Sequence, residues 1–554
     1  MGDSSNLDKH FLLVNDIDAS ATKTWNNMEG FKSIGSFQRE FTGSLDGSGY
    51  AIKGLNINYK FITDAGLFGY IGNEGKVSSL TLTETYINGG SVGGIASYNN
   101  GTITDCDVFG SLIGNRVVNG GIAGYNRGSI ESCTFSGQIS GGPGNVGGLV
   151  GNNFGIISKC SADGSVTGER SNTGGLVGDC YSGSISNCHA NVKVAGEMQV
   201  GGLIGSCDKA VDVVDCHATG DVEGYSMVGG FVGWSYGDLL FCLATGNVSA
   251  SSHSAGGLAG SLCGGIVTYC FGTGNVFAGE NGDIGGFAGS IQSKTEVSRC
   301  FSTSDVSGYG DFMGGFTGVN AGSITDCYAV GDIECFSKYC GGLVGRNNGE
   351  VSNYYYAGVM TGSDEAGGLI GENWAGSIET SFWDVETTGR SSSDGGTGKE
   401  SGELKERSTY EEAGWDFDSI WDILEGDDYP YLRMPIPENE PAIMDQDVDG
   451  LPDSWETCCF SDLEEGPGDD PDNDGQTNLE EYQRGKDPLI QDSPSPGEED
   501  TDGEGGNTVI ILVLVLTAII VIVAICAIVL ILVFKGRKRK SLEEIPINDP
   551  EDRN

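Results

Sequence analysis

Two short stretches near the C-terminus carry the clearest chemical signature in this 554-residue sequence. In the first, Asp445, Asp447, Asp449, Leu451, Asp453 and Glu456 fall at positions 1, 3, 5, 7, 9 and 12 of a twelve-residue loop, with Gly450 at position 6. In the second, 25 residues on, the same positions are Asp470, Asp472, Asp474, Gln476, Asn478 and Glu481, with Gly475 at position 6. Calcium takes six to eight oxygens, position 7 supplies a backbone carbonyl, and the glycine permits the sharp turn. The spacing predicts two Ca2+ sites. Their expected role is to stiffen the segment, since millimolar extracellular calcium saturates even weak loops. The surroundings are strongly acidic, with 23 Asp or Glu against Arg484 and Lys486 in residues 435–507.

The 17 cysteines are a second candidate. Nine of them (Cys106, Cys133, Cys160, Cys188, Cys216, Cys242, Cys270, Cys300 and Cys327) recur every 26 to 30 residues, in line with Leu55 and Leu80 before them and Tyr354 after. Disulfides, a metal wire or packing could explain such a column. Around it Cys216, Ala218, Gly220 and Val222 alternate with Thr219 and Asp221, which turns the cysteines inward. Stacked parallel side chains sit about 4.8 Å apart, beyond the ~3.5–4.5 Å between Cβ atoms that a disulfide prefers. The ladder is expected to be small buried hydrophobes. Among the remaining cysteines, Cys335 and Cys340 suggest a local bridge. Four histidines and no H-E-x-x-H leave little for imidazole-centred chemistry.

A third candidate is the residue after each ladder cysteine, which becomes aromatic toward the C-terminus at Phe271, Phe301, Tyr328, Tyr355 and Phe382. Exposed rings there, with Phe271, Phe301 and Tyr328 as the ligand-binding residues, could grip sugars. The alternative is a stacking ladder that braces adjacent coils or lies beneath a loop.

The elements that position these residues follow from a repeat. The pattern G-G-[LIF]-[VAIT]-[GS] recurs with its second glycine at Gly94, Gly121, Gly148 and on to Gly368, preceded by a variant at Gly66, giving twelve copies 26–29 residues apart. Between copies the apolar period is that of strands, which excludes helical solenoids. A fixed period, short strands and 93 glycines predict an all-β chain folded as a parallel β-helix solenoid of about 12 coils. A coil of about 27 residues suits three faces, and at ~4.8 Å per coil the stack is roughly 50 Å long. Right-handedness is taken from known large β-helices.

The units GGLVG, GGLIG and GGFVG, each followed by a segment like S-I-x-x-C-x-A-x-G-x-V, resemble the GLUG motif repeat of bacterial and archaeal surface proteins over residues 66–371. The lead-in before them and residues 382–433 resemble the segments that flank those repeats, and the acidic loops resemble EF-hand-like or thrombospondin type 3-like calcium loops. The resemblance implies a surface-exposed β-helix with an adhesive or binding role.

Residues 508–534 form an uncharged apolar run longer than the ~20 residues that cross a bilayer. Lys535, Arg537, Lys538, Arg539 and Lys540 follow it, so the positive-inside rule places the bulk of the chain outside and the short tail in the cytoplasm. Residues 1–25 hold no export h-region, so a signal is expected to have been removed or the start truncated. The expected organisation is a lead-in cap (1–65), repeats (66–381), a C-terminal cap (382–434), the paired calcium loops (435–490), an acidic spacer (491–507), the transmembrane helix (508–534) and the cytoplasmic tail (535–554). A net charge of −48 excludes a nucleic-acid binder held by phosphate contacts. The leading reading is a membrane-anchored, single-pass cell-surface protein with a structural, adhesive or ligand-binding role, with envelope glycans or other surface proteins as partners. The rivals are a polysaccharide lyase or hydrolase on the same scaffold, and an envelope-layer subunit. Coil lengths that vary by only three residues leave few cleft walls, and the outward Asp221, Asp305 and Asp332 share a column with Asn247 and Asn275, as a side-chain ladder would. The chain is therefore expected not to be an enzyme.

Overall fold

The computed structural model describes residues 5–433, apart from 60–63, 117, 171, 280–281, 337–338 and 364, together with 468, 477 and 478. The described residues lie within one compact unit, Met1–Gln491. It is a parallel β-solenoid with three parallel sheets of 31, 12 and 10 strands. One strand per coil in the 12-stranded sheet gives twelve coils. A typical coil runs Val92–Gly93, Ala96–Asn99, Thr102–Thr104 and Asp107–Gly114; the first strand joins the smallest sheet, the second the 12-stranded sheet, and the last two the largest.

Close approach explains the repeated glycines. The chain reverses tightly between the two smaller sheets, and the apolar residue that follows points inward: Leu149, Leu176, Leu203 and Phe231 are fully buried. A Cβ on Gly148 would collide with the carbonyl oxygen of Gly175 one coil on. The last glycine of the motif is needed because another strand lies against it; a Cβ on Gly205 would sit 2.6 Å from the backbone nitrogen of Thr173.

The cysteine column is internal, as its alternation predicts. All nine are buried with free thiols, and Cys188, Cys216 and Cys242 pair in direct register. The sequence did not reveal the corner they occupy. The residue just before each ladder position is left-handed, from Asp105 (φ 52°) through Phe241 and Tyr269 (both 54°) to Asn353 (53°). There each thiol donates to the carbonyl two residues back, as Cys188 does to Ser186 at 3.1 Å. A second internal column, also unforeseen, is amide: Asn99 donates to Asn126 at 2.8 Å and Asn126 to Asn153 at 2.8 Å, all three fully buried. Asn320 and Asn347 repeat it at 2.9 Å.

Beyond the last coil, Trp383 closes the core against Gly368, and Phe382–Asp384 pairs with Thr397–Lys399. The chain then turns back along the outside of the solenoid through two short helices, Ser401–Leu404 and Arg407–Glu411, and an antiparallel pair, Trp421–Asp422 with Tyr431–Leu432.

Candidate functional site

The segments expected to be the two calcium loops, the spacer, the membrane span and the basic tail lie outside the described residues, except that Thr477 and Asn478 of the second expected loop are described and Asn478 is buried. Among the described residues no three His, Cys, Asp or Glu side chains converge as a metal site, and no helix is long and apolar enough to cross a membrane.

The expectation of exposed rings at Phe271, Phe301 and Tyr328 is corrected. They are 4%, 0% and 5% exposed, so a sugar face cannot reach them. The returning C-terminal segment covers them: Leu243, Phe271, Phe301, Tyr328, Tyr355 and Phe382 form a second hydrophobic core with Leu404, Tyr410, Trp415, Phe417, Trp421 and Leu432. Within the column the rings stack, Phe271 on Phe301 at 4.6 Å and Phe301 on Tyr328 at 5.0 Å. The segment is pinned where the Tyr355 hydroxyl donates to the Pro430 carbonyl at 2.7 Å and the Trp421 indole to Asp326 at 3.3 Å. The bracing alternative, rings lying beneath a loop, is the arrangement present.

The Asp and Asn column expected to be a ladder is one. Oδ1 of Asp221 accepts the backbone N–H of Asn247, that of Asn247 the N–H of Asn275, that of Asp305 the N–H of Asp332, and that of Asp332 the N–H of Val359, at 2.8–3.1 Å. Each of these four side chains thus caps a donor one coil on, and Nδ2 of Asn247 also donates to Oδ1 of Asp221 at 3.1 Å, which fixes it further. Beside this column lies a groove of about 550 Å³ that runs from Asn247 past Phe277 to Glu334 and Thr361. Phe277 is 48% exposed within it. Acids, amides and one ring are therefore presented at one-coil spacing on a rigid backing.

A second cluster sits on the two smaller sheets near the C-terminal coils. The Arg346 guanidinium lies 3.9 Å from the Phe312 ring centre and 5.1 Å from that of Trp374, while its Nε donates to Glu372 at 2.7 Å. Close by, burial followed by the neighbouring Asp311 charge pushes the Asp283 carboxyl up to about 6, with Arg346 and His253 opposing. At the other end of the solenoid Tyr70, Tyr98 and Tyr125 stack at 4.3 and 4.4 Å, and the Tyr70 hydroxyl donates to Asp64. The Arg346 cluster has no shared motif, its members coming from different coils, whereas Tyr70, Tyr98 and Tyr125 each stand four residues after the second glycine of the repeat, a spacing that signals their column.

The Cys335–Cys340 bridge suggested by their spacing is formed. Burial raises the ladder thiol of Cys188 and the corner thiol of Cys207 well above the usual range, as expected of packed groups.

Residues 142–167 match the family model described as the GLUG motif. A Gly-rich membrane protein of Evansella cellulosilytica is 48% identical over 75 residues, which is 13% of this chain and 9% of that protein. Halomucin of Haloquadratum walsbyi is 37% identical over 114 residues, 20% of this chain and 1% of that protein. The chain therefore matches less than a tenth of either relative's length. Among solved structures, the tailspike protein of E. coli bacteriophage HK620 in complex with pentasaccharide covers 70% of this chain and 79% of its own at 12% identity and a TM-score of 0.29. A mutant of the same tailspike gives 69%, 78%, 10% and 0.32.

Proposed function

We propose that this chain is a cell-surface protein, anchored by residues 508–534 and held off the membrane by a calcium-stiffened stalk, whose solenoid binds an extended hydroxyl-rich polymer such as an envelope glycan. The observation that carries the reading is the outer ladder of Asn247, Asn275, Asp305 and Asp332 beside Phe277. Hydroxyl groups both donate and accept, and the column offers the side chains of Asn247, Asp305 and Asp332 already held by backbone N–H groups, with the Asn275 amide beside them, so little side-chain freedom is lost at the held positions on binding. Phe277 supplies an apolar face for a sugar ring. Names given to similar proteins, a Gly-rich membrane protein and halomucin, support a surface location. The reading is not catalytic, because the ladder acids are engaged as structural acceptors. The polysaccharide-cleaving alternative draws on the raised carboxyl of Asp283.

A glycan array probed with the full chain in lipid nanodiscs, with and without calcium, tests both. Binding that is lost in Phe277→Ser and Asn275→Ala supports the reading. Undiminished binding in both variants sinks it, and shortening of the bound glycan replaces it with the enzyme.

A further inference from the structure

Arg346 and Trp374 carry polar groups that the fold leaves unused. Arg346 stands in the outward column of the 12-stranded sheet, directly opposite Glu372 one coil on, and its Nε donates to that carboxylate at 2.7 Å. That is one of the guanidinium's five N–H donors. Those on its two Nη atoms meet no acceptor among the described residues. The group is nevertheless held in place, since the Phe312 ring centre lies 3.9 Å from Cζ and Glu372 sets its rotation. Trp374, 5.1 Å away and 72% exposed, turns indole surface to solvent, and its Nε1–H also meets no acceptor among the described residues. A fixed donor edge beside an open aromatic face is a binding arrangement, because the guanidinium has little freedom left to lose.

Charge decides what the ligand is. Asp283 stands in register with Phe312 one coil before it, and the charges of Asp311, Arg346 and His253 all act on its carboxyl. Three acids, Asp283, Asp311 and Glu372, thus gather near two bases, Arg346 and His253, in a chain of net charge −48. An anionic ligand would meet this excess of acid, and a cation would meet the guanidinium. An uncharged ring bearing several hydroxyls avoids both: it accepts from the Nη donors and donates to the carboxylates while its apolar face lies on the indole. The geometry points to a sugar site at Arg346 and Trp374 that takes a neutral hexose unit. This site lies on the two smaller sheets, whereas the Phe277 groove belongs to the largest, so it is a separate contact and does not rest on the groove.

Calorimetric titration of the full chain in lipid nanodiscs with short probes, the neutral trisaccharides cellotriose, mannotriose and maltotriose and the anionic trigalacturonate, tests this. Each titration is made in the Phe277→Ser chain, which removes the groove's ring and leaves this site intact. At least one neutral trisaccharide is expected to bind. Its affinity should fall about tenfold or more in Trp374→Ala, at a side chain exposed enough to spare the fold. A similar fall is expected in Arg346→Lys, which keeps the charge and loses the planar fork. Absence of binding by all three neutral probes overturns the proposal, as does binding that either variant leaves unchanged. Tighter binding of trigalacturonate than of the neutral probes also overturns it, by showing that the site selects an anion. A neutral trisaccharide that binds the wild-type chain and no longer binds Phe277→Ser overturns it as well, and assigns the sugar to the groove. Failure of the groove reading would leave these titrations unaffected, so the two readings fail separately.

Discussion

The backbone N–H of Cys133 points at the sulfur of Cys160, 3.4 Å away in the next coil, while that thiol donates to the carbonyl of Ser158 at 3.1 Å. The column is therefore more than filler. The sulfurs of Cys160, Cys188, Cys270, Cys300 and Cys327 each accept the backbone N–H of the ladder cysteine one coil back, and each S–H of the column satisfies a carbonyl at its own bend. Thiols held this way are poor nucleophiles, since the reactive thiolate would be a buried charge. In native protein treated with an alkylating reagent, Cys263, the half-exposed thiol, should be labelled first among the described free cysteines, and the nine ladder thiols only on unfolding. Peptide mapping that finds ladder cysteines labelled natively, or already oxidised, would contradict the packing assignment.

The period, the inward parity and the cysteine column are legible in sequence because each is a repetition of residue type at fixed spacing. The corner before the cysteines is not, because its left-handed residues, Lys159, Phe241, Tyr269 and Arg299 among them, include no glycine to announce it. Stacked neighbours on both sides impose that conformation against local preference. The burial of Tyr328 was hidden for a related reason: its cover, Trp421, is 93 residues away in sequence. An aromatic column reads the same whether solvent, sugar or its own chain faces it. The expectation of calcium loops rests on spacing alone.

The returning segment should be held largely by Trp421, which is fully buried between Trp415 at 4.6 Å and the column residues Tyr328 and Tyr355. Trp421→Ala is expected to cost about 3–5 kcal/mol, as large-to-small core changes do. The loss should be local. Limited proteolysis should cut within residues 401–433 while the ladder thiols stay protected; simultaneous loss of that protection would mean the segment and the solenoid unfold as one unit.

Asp283 gives a pH signature. Its carboxyl is raised in the folded chain to about 6 from an ordinary value of 3.8, chiefly by burial and then by Asp311, so the folded state holds a proton that the unfolded chain releases first. Its contribution to stability is fully present below pH ~4 and is lost as pH rises through about 6. Asp283→Asn should therefore raise the melting temperature at pH 7, by the equivalent of about 1–3 kcal/mol, and leave it little changed at pH 4. Equal effects at the two pH values would show that the carboxyl titrates normally.

Calcium binding rests on sequence spacing. Asp447→Asn and Asp472→Asn remove one ligand charge from each proposed loop, so calorimetric titration of the full chain should show weaker calcium binding while the far-ultraviolet circular dichroism of the solenoid is kept. Unchanged affinity and stoichiometry would show that calcium is held elsewhere or not at all.

The amide column tests whether buried polar ladders act as units. Asn126 accepts from Asn99 and donates to Asn153, each at 2.8 Å, and all three are fully buried. Asn126→Leu breaks both bonds and leaves a donor on one side and an acceptor on the other short of a partner, at about 1–3 kcal/mol for each group. The same column holds Leu262 and Ile291 in later coils, in direct register, so the slot itself accepts apolar side chains. Replacing Asn99, Asn126 and Asn153 together by Leu removes partners in concert and leaves fewer stranded groups, although the bond that Oδ1 of Asn99 accepts from the Gly101 N–H and the one that Nδ2 of Asn153 donates to the Gly155 carbonyl are still lost. Denaturant unfolding of the three single variants and the triple should therefore be non-additive, the triple losing less than the sum of the singles. Strict additivity would show that each asparagine works through the turn next to it, and that the column of amides is three independent caps.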